Sequence, residues 1–437
     1  MRRMSFRLLS SIVLAAAAAA LPAFAQVAPK TPPAYDGRAG VARIDKARID
    51  AALRRFVDAG KIVGASALVV QDDREAYVGT FGMADREAVR PMARDTVVLI
   101  YSMTKPLTGV ALMQLHEQGK FQLDDPVSRY LPEFANQHVH AGEDADGTPR
   151  LVPVQRPATI RDLLRHTSGM LDDGDPRGPV HALYRQAEPY DPRNTLAEQV
   201  RVLAGVPLVY QPGTRWLYSP AVEVQARLVE VFSGQSFEAY LQQHVLDPLR
   251  MHDTRYAPRA ADRERMAAMY QRGEDGTLSR VADADVLKID IGQPLRPGSW
   301  GLVSTLDDYM RFARMLLGGG ALDGVRLLQP ATVRLMASDA LPAGLTDTSW
   351  LRGNQQVGFG IDVAVRTAPP ASAREASGEV GEFFWGGMAN TLFWVDPVNR
   401  IAAVLFTQYL PPGSSPLDKA FRDAVYADDS SAAAPRE

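Results

Sequence analysis

Cysteine is absent from all 437 residues. Disulfides, thiolate catalysis, a lipid-anchored cysteine and cysteine-rich zinc sites are therefore excluded together. A chain exported without disulfides must rely on its core. Basic runs are also missing, and the net charge is −3, which removes the electrostatic footprint that nucleic-acid binding needs. No Gly-x-Ser-x-Gly occurs, so the strained strand-to-helix elbow of an α/β-hydrolase has no nucleophile motif. Gly318-Gly319-Gly320 lacks the Lys-Ser/Thr of a phosphate-binding loop and reads as a turn. The seven histidines include His138 and His140, but Gly142 and Glu143 stand where a zinc hydrolase of that pattern needs Asp and His. No metal site is expected. The stretch 138–147 reads as a solvated loop, and His166 as a structural residue rather than a general base.

Long apolar runs are confined to the N-terminus. Arg2, Arg3 and Arg7 precede an apolar run from Leu8 to Leu21 and then Ala23-Phe24-Ala25, the layout of a secretory signal cleaved after Ala25. An uncleaved membrane anchor is the alternative, disfavoured because the run is short for a bilayer and ends in a small-x-small site. Arg2-Arg3 leaves the export route open, since the residues that follow match the twin-arginine pattern poorly. The mature chain is expected in the periplasm or outside the cell, without a stable membrane anchor.

What is present is ordinary globular composition, 46% hydrophobic and 23% charged, enough for one large or two intermeshed domains. Residues 26–42 read as a flexible Pro/Ala/Gly leader. Helical spacing runs from Ile44 to Ala59, with Gly60 at the C-cap. A strand hairpin follows, Gly64–Val70 and Ala76–Gly82 about Asp72-Asp73-Arg74. A helix is expected from Ser102 to about Gly119. Mostly helical segments occupy the middle, among them Thr159–His166, Thr195–Leu203 and Glu223–Phe232. Strands return at Gly358–Val365, Met388–Val395 and Ile401–Gln408, before a last helix over Leu417–Tyr426. The pattern predicts an α/β (α+β) fold: an antiparallel sheet built from both termini, flanked by helices, with a mostly helical domain inserted. The expected parts are residues 43–130 plus 295–430 as a discontinuous catalytic domain, 131–294 as the insert, and 431–437 as a disordered tail.

Ser102-Met103-Thr104-Lys105 carries the chemistry. If a helix starts at Ser102, residues three apart share a face, which brings the Lys105 amine to the Ser102 hydroxyl. The helix start also presents free N–H groups to developing negative charge, and Pro106 costs little where intrahelical partners are missing. A serine needs a base, and a buried lysine can become one where an arginine could not. Of the 48 basic residues seven are lysine and 41 arginine, and only Lys105 has a serine three residues upstream.

Tyr101-Ser102-Met103-Thr104-Lys105-Pro106 resembles the nucleophile motif of class C β-lactamases, family VIII carboxylesterases and related DD-peptidases. Four further segments are similar in order and spacing: Thr159 to Gly169, Gly213 to Ser219, Gly301 to Tyr309, and Trp385-Gly386-Gly387. The likeness spans about 44–426 and implies a β-lactamase/transpeptidase-like fold. It implies Tyr218 as proton shuttle beside Lys105, and the backbone N–H groups of Ser102 and Met388 as the oxyanion hole. No cofactor is implied.

Two departures bear on substrate. Pro220 stands where the lactamase branch has asparagine, removing a side-chain amide. Trp385-Gly386-Gly387 replaces Lys-Thr-Gly, so a cation that would hold a substrate carboxylate gives way to a flat apolar wall with one N–H donor. These changes favour a neutral ester over an anionic β-lactam. The expected function is a secreted serine carboxylesterase acting through an acyl-enzyme on short-chain or small neutral esters, its only partner a small-molecule ester or amide. The alternatives are a β-lactamase or D-amino-acid peptidase on wall fragments, and a non-catalytic wall-fragment-binding protein. The loops after His138 and from Asp172 to Asp191 are expected at the pocket mouth.

Overall fold

A computed structural model describes residues 44–145, 147–171, 178–286, 293–345, 351 and 356–427. The signal run, the leader, Asp146, residues 172–177 and the expected tail lie outside the described residues. Helix α1 (Lys46–Asp58) starts where the Asp45 side chain accepts the Arg48 N–H, and it buries Ile49, Leu53 and Phe56. Strands β1 (Gly64–Gln71) and β2 (Arg74–Asp85) follow. Asp72 and Asp73 both have positive φ, the backbone that a two-residue hairpin turn needs to match strand twist. After a short β3 (Arg90–Pro91) the chain leaves the sheet. It returns as β4 (Val357–Phe359), β5 (Ala364–Arg366), β6 (Phe383–Gly386), β7 (Leu392–Asp396) and β8 (Ile401–Phe406).

The eight strands are ordered β4-β5-β6-β7-β8-β1-β2-β3, every pair antiparallel. The two ends of the chain meet where β1 pairs with β8, from Ser66 opposite Phe406 to Gln71 opposite Ile401. The expected antiparallel sheet from both termini is thus observed.

Both faces of its centre are covered, so β1 from Ala67 to Val70 and all of β8 are continuously apolar rather than alternating with polar residues. Ala67, Val69, Ala403 and Leu405 face α1 and the last helix, Leu417–Tyr426. Leu68, Val70, Val404 and Phe406 face the helical bulk of the molecule. That bulk includes α2 (Thr104–Glu117), α3 (Ile160–Leu164), α4 (Ala221–Ser233) and α5 (Leu306–Leu317), and Leu417–Tyr426 becomes α6. Among the described residues, no helix is long and apolar enough to cross a membrane.

Four local expectations change. Gly358–Val365 is not one strand but the hairpin β4–β5, because the chain reverses through Gly360 and a left-handed Asp362. Met388 does not begin a strand: residues 387–391 form a turn, with Asn390 at φ +59°, and β7 starts at Leu392. The helix expected from Ser102 begins at Thr104, preceded by a single 3₁₀ turn over Tyr101–Met103. The loop expected after His138 is a hairpin of His138–Glu143 with Pro149–Pro153.

An ionic cluster ties β6 to α6. Glu382 is fully buried and accepts Arg366 Nε and Arg422 Nη1, each at 2.8 Å. Its other oxygen accepts the Tyr426 hydroxyl at 3.0 Å. Breaking a buried ion pair from one side costs more than the pair itself contributes, since the remaining charge has no water. Glu382→Gln is expected to lose about 3–5 kcal/mol of stability, read from denaturant midpoints; a loss below about 1 kcal/mol would show that the guanidiniums find other partners.

Candidate active site

The site is built at the start of α2. Thr104 through Met113 are buried, so the helix runs through the core and carries the Lys105 side chain in with it, leaving that residue 4% exposed. Its amine donates to Ser102 Oγ at 3.2 Å and to the Ser299 carbonyl at 3.1 Å. From a distant segment, the Tyr218 hydroxyl donates to Ser102 Oγ at 2.9 Å. The Lys105 amine also lies 4.5 Å from the centre of the Tyr218 ring, where a cation is favoured by the π face. Ser102, Lys105 and Tyr218 are therefore brought together as expected. Tyr101, just before the serine, is held at φ +44°, a strained conformation for a non-glycine residue.

The lysine is held by partners that the sequence did not mark. Glu223 on α4 is fully buried and accepts the Gly298 N–H, the Ser299 hydroxyl and the Tyr190 hydroxyl. Thr108, one turn along α2 from Lys105, donates to the Gly298 carbonyl at 2.6 Å. A Cβ at 298 would meet the Val222 carbonyl at 2.5 Å, so only glycine lets this segment press onto α4 and aim the next carbonyl at the amine. Burial pushes the Glu223 carboxyl up, while Ser299 and the Lys105 charge pull it down. Asp362, in the β4–β5 turn, accepts Gln225 Nε2 at 3.0 Å, and its other oxygen has no partner among the described residues. Burial pushes its pKa up to about 8.

On the other side of Ser102 stands the turn after β6. A Cβ on Gly387 would meet the Ile100 carbonyl at 2.4 Å and Thr391 Oγ1 at 2.3 Å. Glycine here lets the turn close on the nucleophile segment. The Met388 N–H has no backbone acceptor among the described residues, and the Met388 side chain is exposed.

A cavity of about 630 Å³ opens at Ser102. Trp216, Tyr218, Phe384, Trp385 and Leu392 wall it, with Gly386, Gly387 and Met388 alongside. Trp216 was part of a recognised motif, but nothing local marked it as a wall. The Trp385 ring stacks edge to face on Phe359 at 5.4 Å and tilts against Tyr218 at 5.6 Å. Its Nε1 is buried and without a partner among the described residues, so Trp385 presents apolar ring, not the expected N–H donor, to the cavity. Charged residues line it too, among them Arg366, Arg374, Glu375, Asp418, Lys419 and Arg422. Neither the described part of the Asp172–Asp191 loop nor the hairpin after His138 lines it.

A family model described as Beta-lactamase matches residues 49–428. An uncharacterized protein of Mycobacterium tuberculosis is 37% identical, the alignment covering 83% of this chain and 89% of the relative. Esterase EstB of Burkholderia gladioli is 32% identical, covering 87% and 95% respectively. Among solved structures, EstCE1, a hydrolase with promiscuous acyltransferase activity, aligns with a TM-score of 0.72 at 27% identity, covering 87% of this chain and 98% of that one. The family read from the motifs is the family found.

Asp362 makes stability depend on pH. Its carboxyl ionises near pH 4 in an unfolded chain but at about 8 when folded. Between those values the unfolded state holds fewer protons, so this residue's contribution is full below pH 4 and is lost as pH rises to 8. Asp362→Asn cannot ionise, so its stability relative to wild type is expected to climb across that window, by on the order of 5 kcal/mol. Thermal melts at pH 4, 6 and 8 test this, and a difference that does not change with pH would refute it.

Proposed function

The chain belongs to the beta-lactamase family of serine hydrolases, and from that premise we propose that it is an exported carboxylesterase acting on neutral esters. One observation carries the reading: Trp385 stands where a cation would be needed to hold an anionic β-lactam and packs on Tyr218, while Arg366, Lys419 and Arg422, which line the same cavity, are each paired with a carboxylate. Esterase activity is stated for EstB, which supports it. The cavity falls within the range of drug-sized ligands, so the expectation of a short-chain substrate widens to neutral esters with a bulky apolar group. The basic and apolar N-terminal segment supports export with cleavage after Ala25.

The reaction follows from the contacts. The Tyr218 hydroxyl, hydrogen-bonded to Ser102 Oγ, takes the serine proton as it passes its own to the neutral Lys105 amine, which also touches Ser102 Oγ, and the serine oxygen attacks the ester carbonyl. The oxyanion is held by the N–H groups of Ser102 and Met388. Collapse expels the alcohol, which receives the proton back through Tyr218, and water releases the acyl group by the same route in reverse.

A second reading has an alcohol replace water in the last step. The acyltransferase activity stated for EstCE1 and the room beside Ser102 favour it. Purified protein assayed on a nitrophenyl ester, a chromogenic cephalosporin and a D-Ala-D-Ala peptide separates these possibilities. Ester turnover is expected to dominate, to vanish in Ser102→Ala, and to fall about 10²–10⁴-fold in Tyr218→Phe. Preferred cephalosporin or peptide turnover would reverse the assignment, and no turnover at all would favour the wall-fragment-binding protein. Adding a primary alcohol and measuring transesterified product decides the second reading.

A further inference from the structure

We propose that His166 is a positioning residue for Tyr218, holding the phenol in place by taking the backbone N–H groups on both sides of it. The proposal rests on the reading of Tyr218 as the proton shuttle. Residues 215–219, which carry Tyr218, have no regular secondary structure, so no helix or strand ladder fixes them. Leu217 N–H donates to the His166 carbonyl at 2.9 Å, and Ser219 N–H donates to His166 Nδ1 at 3.2 Å. A single residue thus brackets the tyrosine with its main chain and its side chain.

Offering both groups to one segment requires an unusual backbone. His166 sits at φ +56°, in the left-handed region that non-glycine residues avoid unless surrounding structure imposes it. That structure is present. His166 follows α3, whose N-cap Thr159 and buried Asp162 bond each other, Asp162 also pairing with Arg156 and Arg165. Asp162 also accepts the Thr167 hydroxyl at 2.9 Å, and the Thr167 carbonyl accepts Gly213 N–H at 2.7 Å, extending the grip along the tyrosine segment. The imidazole is fully buried, 4.9 Å from the Tyr218 ring and edge to face with Phe359 and Trp216.

The hydrogen bonding also says what His166 does not do. A backbone N–H can only donate, so the Ser219 N–H bond assigns the lone pair to Nδ1, which the Ser219 hydroxyl also approaches at 3.2 Å, and the proton of a neutral ring to Nε2, which is buried without a partner among the described residues. No lone pair is left for a substrate. Burial, with the nearby Lys105 charge, holds the imidazole pKa well below its usual value, in keeping with a neutral ring. A residue that positions through an acceptor atom behaves differently from one that fills space and from a general base.

Three variants separate these roles. His166→Asn is compatible with a left-handed backbone and can offer an amide oxygen to Ser219. His166→Phe keeps a ring but has no acceptor, and His166→Ala has neither. Expected is a fall in kcat of about tenfold to hundredfold for Ala and Phe, with KM within about threefold. His166→Asn is expected to stay within about threefold of wild type in kcat and to keep the shape of the pH–rate profile. Phe as active as wild type, or Asn as impaired as Ala, would overturn the proposal, the first by showing a space-filling role. Loss of a pH limb in all three would overturn it in favour of a base. Should Ala or Phe not fold, nitrogen-15 shifts of His166 in the wild type decide: an unprotonated Nδ1 and a protonated Nε2 from pH 5 to 9 are expected, and a protonated Nδ1 contradicts the arrangement. Ser102→Ala and Tyr218→Phe run alongside keep the two readings apart. If they are inactive while His166→Ala is fully active, only the positioning role fails; if Tyr218→Phe is fully active, the shuttle itself fails.

Discussion

A primary amine buried in the first turn of a buried helix is the constraint around which the molecule is arranged. Taking an ammonium out of water costs several kcal/mol unless good partners replace it. Lys105 receives three kinds of compensation: a serine hydroxyl, the Ser299 carbonyl and the face of the Tyr218 ring. Each must be held in place by something else. Glu223 and Thr108 fix the Gly298-Ser299 segment, and Gly298 lets it lie against α4. The need to satisfy one nitrogen thus reaches α2, α4 and a loop far along the chain.

The nucleophile segment is pinned with equal care. The Gln408 side chain both donates to and accepts from the backbone of Leu99, at 3.0 Å each way. Tyr309 on α5 donates to the Met103 carbonyl at 2.7 Å, and Gly387 brings its turn against Ile100. Residues from α5, from the end of β8 and from the β6–β7 turn therefore grip 99–103 from different directions. This is how Tyr101 can remain at a strained φ with Ser102 presented to the cavity, since strain persists only where the surroundings over-determine it.

An aromatic layer that includes Tyr218 lines the cavity beside this machinery. The aromatic rings of Trp216, Tyr218, Phe359 and Trp385 pack on one another, so the wall is rigid and apolar. The Trp385 N–H is turned into the protein, so this side chain offers the cavity an apolar ring.

Much of this was legible in the sequence, and the reason is range. Helix α6, the β1–β2 hairpin and the pairing of Ser102 with Lys105 are set by periodicity, turn residues and spacing within a few positions, all of which the chain displays locally. Recognition of Tyr218 and of the Trp385 strand came from motif order. Other features were not marked by periodicity: Met388 in a turn rather than a strand, and the hairpin after His138. A backbone carbonyl such as that of Ser299 has no side-chain signature, and a buried carboxyl such as Glu223 or Asp362 reads in sequence as any helical or loop acid. Sequence alone therefore determined which groups could react. Only the packing of segments 116 and 194 residues apart decided which groups hold them, because burial and hydrogen bonding between distant segments exist only once the chain has closed on itself.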